Sequence, residues 1–130
     1  MHNPELYKEW MKYAKADNTA ATLLSGHHPA QLEIVCFHCQ QAGEKALKAI
    51  LAYNDVIIPR THNLYELLQL CEAFSPGIST ELARQADQLT NFAVITRYPS
   101  GEMEVIEADM ILALKNADCI LAYVEALVDG

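Results

Sequence analysis

The stretch Cys36–Tyr53, CFHCQQAGEKALKAILAY, gathers much of the chemistry-bearing sequence of this 130-residue chain. Gln41, Lys45 and Lys48 recur at intervals of four and three, so on a helix they line one side. Ammonium groups in such a row can hold a phosphate. Glu44 stands four residues before Lys48 and can pair with it, which would make the same row an ordinary solvated face. Outside the stretch, His62 follows Thr61 in a polar segment, and Arg97 and Tyr98 precede Pro99. An imidazole and a guanidinium can bind phosphate, and an imidazole can also move a proton near neutral pH. Each has a plainer use: His62 can bond a loop carbonyl, and Arg97 can sit as a cation at a helix C-terminus. Asp17 falls within an apolar row, where a carboxylate needs a partner. Lys45, Lys48 and Arg97 are the candidates, and an ion pair holding two helices in register is as good a reading as a ligand site.

Cys36-x-x-Cys39 has the form of half a metal site. A structural zinc takes four ligands, and no second Cys-x-x-Cys or His-x-x-His completes the set, with His38 expected on another side of the helix. A di-iron bundle needs two Glu-x-x-His pairs, and the sequence has none. The four cysteines, Cys36, Cys39, Cys71 and Cys119, are therefore expected to be free thiols packed as small hydrophobes. Neither a metal nor a cofactor is expected, and no residue is assigned a catalytic role.

Helices must position these groups. Leu6, Trp10, Tyr13, Ala20 or Ala21 and Leu24 give one apolar stripe over Pro4–Ser25, with Trp10 and Tyr13 expected in the core. Gly26 stops that helix and Pro29 is expected to open the next, which runs to Tyr53 and is the most apolar all round. Asn63 with Glu66 resembles a capping box before a short helix, LYELLQLCEAF. Ser79 or Thr80 caps a fourth helix with Leu82, Ala86, Leu89, Ala93 and Thr96 on one side. The last helix carries Ile106, Met110, Ala113, Ala117, Ile120, Val124 and Leu127. No strand alternation is visible. The expected fold is all-α, an up-and-down bundle of four long helices and one short one, in one domain over residues 1–130.

Hydrophobic residues make up 52% of the chain and charged ones 20%, which suits a globular domain rather than a disordered one. No apolar run is long enough to span a bilayer, and the polar N-terminal segment lacks an apolar signal region, so a cytoplasmic location is expected with no membrane partner. The net charge of −8 repels phosphate backbones, which argues against nonspecific nucleic-acid binding. Any nucleotide contact must come from a local basic cluster.

Three segments together resemble the HEPN domain family of small all-helical bundles. Gln40–Leu51, QQAGEKALKAIL, looks like the family's Gln-x-x-x-Glu-Lys-x-x-Lys-Ala helix. Thr61–Leu68, THNLYELL, looks like its Thr-His-x-Leu segment, and Arg97–Pro99 like its Arg-Tyr-Pro turn. Asp17 and the following apolar residues are similar to its first helix. The resemblance implies a bundle that usually forms a homodimer, often partnered by a small MNT-type nucleotidyltransferase in a toxin–antitoxin system. It also implies a nucleotide-binding role, and in several branches metal-independent RNase activity through Arg, four to six residues, then His. Here the positions after Arg97 that would hold that histidine are Glu102, Met103 and Glu104, and no histidine follows His62. The expected function is therefore a non-catalytic module that binds a nucleotide or phosphate ligand, or a nucleotidyltransferase. Lys45, Lys48, His62, Arg97 and Tyr98 are the ligand-facing residues, and Asp17, Gln41 and Glu44 support them. The alternatives are an RNase toxin using His62 with Arg97, and an oligomerising scaffold whose polar residues serve structure alone.

Overall fold

The computed structural model describes residues 1–93 and 104–129. Among these, five α-helices follow one another: α1 (Pro4–Ser25), α2 (Leu32–Tyr53), α3 (Leu64–Leu70), α4 (Thr80–Thr90) and α5 (Glu107–Asp129), with a single 3₁₀ turn at Cys71–Ala73 after α3. No strand occurs among the described residues. The all-α expectation is met.

α2 is the central helix, in contact with each of the other four. It is built for that place. Val35, Cys36, Cys39, Ala42, Ala46, Leu47, Ala49, Ile50 and Leu51 are essentially inaccessible to solvent, and the small residues among them let neighbouring helices come close. Gly43 marks the tightest approach. A Cβ there would lie 2.7 Å from a methyl of Leu64, 3.4 Å from Leu89 and 3.5 Å from Ile120, so α3, α4 and α5 all converge on it. α1 runs antiparallel to α2: the Asn3 amide donates to the Tyr53 carbonyl at 2.9 Å, which fastens the start of α1 to the end of α2.

The buried stripe of α1 differs in part from the one expected. Ala21 is buried and Trp10 and Leu24 pack against the core as expected, but Met11 and Ala14 are buried too, with Tyr7 beside the core. The row Leu6–Trp10–Tyr13 stands one residue round: Leu6 and Tyr13 are 38% and 52% exposed, and Trp10 is half-buried. Both rows share the same helical spacing, and one residue is about 100° of turn, so periodicity alone does not separate them. The shift places Asp17 at the margin of the α1–α2 contact rather than in the middle of an apolar stripe.

Three boundaries also differ. α2 opens at Leu32, leaving Pro29 in the connection. α3 ends at Leu70, and the remainder of its expected span forms the 3₁₀ turn and Phe74. α4 stops at Thr90 instead of continuing to Thr96, which lies outside the described residues. Its end is held locally: the Thr90 hydroxyl donates to the Ala86 carbonyl and accepts from the Leu64 amide at 2.9 Å, and the Phe92 and Ala93 amides turn back to Leu89 and Thr90. Ser79 caps the start of α4, accepting from the Leu82 amide. On α5, Met110, Ala113, Ala117, Ile120 and Val124 are buried as expected, whereas Ile106 is exposed just before the helix.

Gly43→Ala gains about 1 kcal/mol of helix propensity. The added methyl would meet a fully buried Leu64 at 2.7 Å, with Leu89 and Ile120 also against it, and overpacking of this kind costs about 1–3 kcal/mol. The expected net effect is a loss of roughly 1 kcal/mol, seen as a lower midpoint in urea at unchanged slope. An unchanged or raised midpoint would show that the crossing is looser than described.

Candidate functional site

The polar residues of α2 leave a helix that is otherwise enclosed, so each must find a partner close to where it emerges. Two clusters result. In the first, the Lys45 ammonium contacts Asp17 Oδ2 on α1, and His38 Nδ1 lies 2.9 Å from Asp17 Oδ1. A carboxylate can only accept, so His38 Nδ1 carries the proton and donates it. Of the expected partners for Asp17 among the described residues, Lys45 takes the place and Lys48 pairs with Glu44.

The second cluster is centred on Glu44, whose side chain is 7% exposed. Its Oε2 accepts from Lys48 Nζ at 2.9 Å. Its Oε1 accepts from Gln40 Nε2 at 3.1 Å and from His62 Nδ1 at 2.9 Å. Gln40 Nε2 also donates to the His62 carbonyl at 2.9 Å, and Gln41 Nε2 donates to Gln40 Oε1 at 2.7 Å. The His62 side chain is held at both ring and backbone, yet 69% of it remains exposed. With Nδ1–H bound to the carboxylate, Nε2 is the ring nitrogen available to a ligand.

Local structure fixes the His62 loop. The Asn63 side chain caps α3 by accepting from the Glu66 amide at 3.1 Å. Glu66 does not close the expected box directly. Thr61 Oγ1 instead accepts from the Asn63 amide at 3.1 Å and donates to Glu66 Oε2 at 2.8 Å, so the threonine hydroxyl relays the second half of the cap. The Leu64 amide then ties to Thr90 on α4. His62 thus projects from a short segment pinned at both ends.

Burial acts to raise the Glu44 pKa, but hydrogen bonds from Lys48, His62 and Gln40, together with the Lys48 charge, outweigh it and hold the carboxyl below its ordinary value. Burial acts in the opposite sense on the thiols. It pushes Cys36, Cys39 and Cys71 up to about 12, so these cysteines are protonated at neutral pH and are neither nucleophiles nor ready metal ligands. Cys36, Cys39 and Cys71 pack in the core as expected, whereas Cys119 is only half-buried. No group of three or more His, Cys, Asp or Glu side chains that could hold a metal ion occurs among the described residues.

Asp17 with Lys45, and Glu44 with Lys48 and His62, are brought together, and Gln41 joins the second group through Gln40. Arg97, Tyr98 and Pro99 lie outside the described residues. Two participants are missing from the expected site. His38, expected on another side of the helix, belongs to the row that carries the lysines, since 38, 41, 45 and 48 are spaced three, four and three. Gln40 opens the motif, but its spacing assigns it no partner. The structure shows it fully buried, bridging Glu44 to the His62 backbone.

The fold and this polar α2 face together define a small helical bundle of HEPN type. A family model described as HEPN domain matches residues 7–129, and the chain belongs to that family. The crystal structure of TT1696 from Thermus thermophilus superposes with a TM-score of 0.82 at 24% identity, covering 93% of this chain and 97% of that one. ST0689, an archaeal HEPN homologue, gives a TM-score of 0.75 at 21% identity over 92% and 95% of the two chains. No curated protein matches the chain. Among the described residues, no helix is long and apolar enough to cross a membrane.

Glu44→Gln leaves the Lys48 ammonium buried without its counter-charge and is expected to destabilise the fold at pH 7 by about 2 kcal/mol. Because the folded pKa of Glu44 is lowered, its contribution is present above the ordinary value of 4.5 and is lost as the pH falls through the lower folded value. Stability measured by urea titration from pH 7 to pH 3 should therefore fall less steeply in Glu44→Gln than in the unaltered protein. Parallel curves would remove Glu44 from the acid response.

Proposed function

We propose that this HEPN domain is a non-catalytic binding module whose ligand-facing group is His62, backed by Glu44 and Lys48, and that it takes a phosphate-bearing ligand of the nucleotide class. One observation carries this reading: a mostly exposed imidazole is oriented by a buried carboxylate. When protonated, it donates through Nε2 while Nδ1 stays on Glu44. Lys48 and Lys45 are each already matched by a carboxylate. The added positive charge for an anion therefore has to come mainly from His62, against a chain of net charge −8. That predicts a modest, salt-sensitive affinity. Arg97 and Tyr98 complete the site in this proposal on the strength of the family's Arg-Tyr-Pro segment. A homodimer, and a nucleotidyltransferase partner of the toxin–antitoxin kind, accompany this reading through family membership.

A second reading, a metal-independent RNase, draws on the same Glu44–His62 pair. A carboxylate that fixes the Nδ1 proton leaves Nε2 as a base able to take a proton from a 2′-hydroxyl.

A panel of nucleoside mono-, di- and triphosphates should raise the melting temperature by a few degrees at low salt and less at high salt, by linkage and screening. His62→Ala should abolish the rise without unfolding the domain. No shift for any nucleotide at low salt would count against the binding reading.

For the RNase reading, purified protein should cleave single-stranded RNA in EDTA, with activity lost in both His62→Ala and Arg97→Ala. Intact RNA at micromolar protein after hours of incubation would exclude it.

A further inference from the structure

Gln41 stands where the two polar clusters of α2 meet. From His38 to Lys48, the side chains of this helix that are not buried are His38, Gln41 and Lys45. His38 and Lys45 both bind Asp17 on α1. Gln41 lies three residues after His38 and four before Lys45, so it sits between them on the helix surface. Its own amide turns to the other cluster and donates to Gln40 Oε1 at 2.7 Å.

The polarity of that amide is fixed from the interior. Gln40, fully buried, faces Glu44 Oε1 at 3.1 Å and the His62 carbonyl at 2.9 Å. Both are acceptors, so Gln40 must give them its NH₂ group and turn its carbonyl oxygen toward Gln41. Gln41 must then donate to that oxygen. Its own carbonyl oxygen is left as the acceptor at the outer end of the chain. A buried carboxylate thus sets, through two amides, an acceptor on the half-buried surface of α2. The lysines and histidines around it offer donors, which suit a phosphate. Gln41 Oε1 does not, because an ionised phosphate is itself an acceptor. It favours a ligand that brings an N–H or O–H beside its phosphate.

We propose that Gln41 sets the specificity of this face: its carbonyl oxygen accepts a hydrogen bond from a sugar hydroxyl or a base N–H, so the site takes a phosphate ester carrying such a donor in preference to one without. The inference rests on the phosphate-ligand function proposed above, and it assigns a contact to the part of the ligand beyond the phosphate.

The test titrates ¹⁵N-labelled full-length protein, at low and constant ionic strength, with three phosphate monoesters. Methyl phosphate has no donor beyond its phosphate, ribose 5-phosphate has hydroxyls, and adenosine monophosphate adds base N–H groups. At least one donor-bearing ester should bind more tightly than methyl phosphate and shift the Gln41 side-chain amide resonances in a saturable manner. A preference shared by ribose 5-phosphate assigns the contact to a sugar hydroxyl, and one confined to adenosine monophosphate assigns it to the base. Gln41→Met removes both the acceptor and the donor, whereas Gln41→Lys keeps a donor for the buried Gln40 oxygen and removes the acceptor alone. In both variants the preference over methyl phosphate should fall about fivefold, as expected for one neutral hydrogen bond. Taking the ratio of the two affinities cancels the charge that lysine adds. Equal binding of all three esters by the unaltered protein, or a preference that survives both substitutions, overturns the proposal while phosphate binding stands. Absence of binding by every ester removes the proposed function and this inference with it.

Discussion

Glu44 is a carboxylate at 7% side-chain exposure on a helix enclosed by four others, and an ionised group in that position persists only if its oxygens are satisfied from within the protein. Lys48, Gln40 and His62 do this together. The consequence spreads outward. Lys48 is fixed one turn along the same helix, Gln40 is drawn into the interior, and the segment before α3 is brought down onto α2 so that His62 can reach. The same demand shapes the α1–α2 contact, where Asp17 meets both Lys45 and His38. Breaking such a network by removing one member costs far more than its net contribution suggests, because the others are left buried and unpaired.

This arrangement changes what the lysines of the Gln-x-x-x-Glu-Lys helix can do. As a bare sequence, two lysines and a histidine form a basic patch. In the folded protein both lysines face carboxylates, so their charges are already matched. What the cluster leaves facing solvent is one imidazole, oriented by Glu44.

The likeness to TT1696 and to the archaeal homologue is a likeness of fold, with sequence identities of 24% and 21%. A helical bundle of this kind sets where side chains stand, while their chemistry decides what is bound. Gly43 shows how the two are joined: its missing side chain lets α3, α4 and α5 crowd against α2. That crowding brings the Leu64 amide to Thr90 and so holds the His62 segment, one residue upstream of Asn63, in place.

Much of the protein is legible in its sequence. The four-and-three spacing declares four of the helices and a cap at Asn63 the short one, because an amphipathic helix needs only its own side chains to set a period. Caps at Asn63 and Ser79 are readable because capping is a bond between residues three apart. The set Asp17, Gln41, Glu44, Lys45, Lys48 and His62 is visible as a group of polar residues requiring partners. What the chain does not declare is pairing across helices. Rows one residue apart on α1 are equally periodic, so only the docking of α2 chose Met11 and Ala14 for burial and left Tyr13 exposed. Only tertiary structure gave Asp17 to Lys45 and His38, gave Glu44 to His62, and made Gln40 an interior bridge. Those contacts join residues 18 to 28 positions apart, and their geometry depends on where the helices cross. Local sequence settles helix, cap and face; helix packing settles which charge meets which.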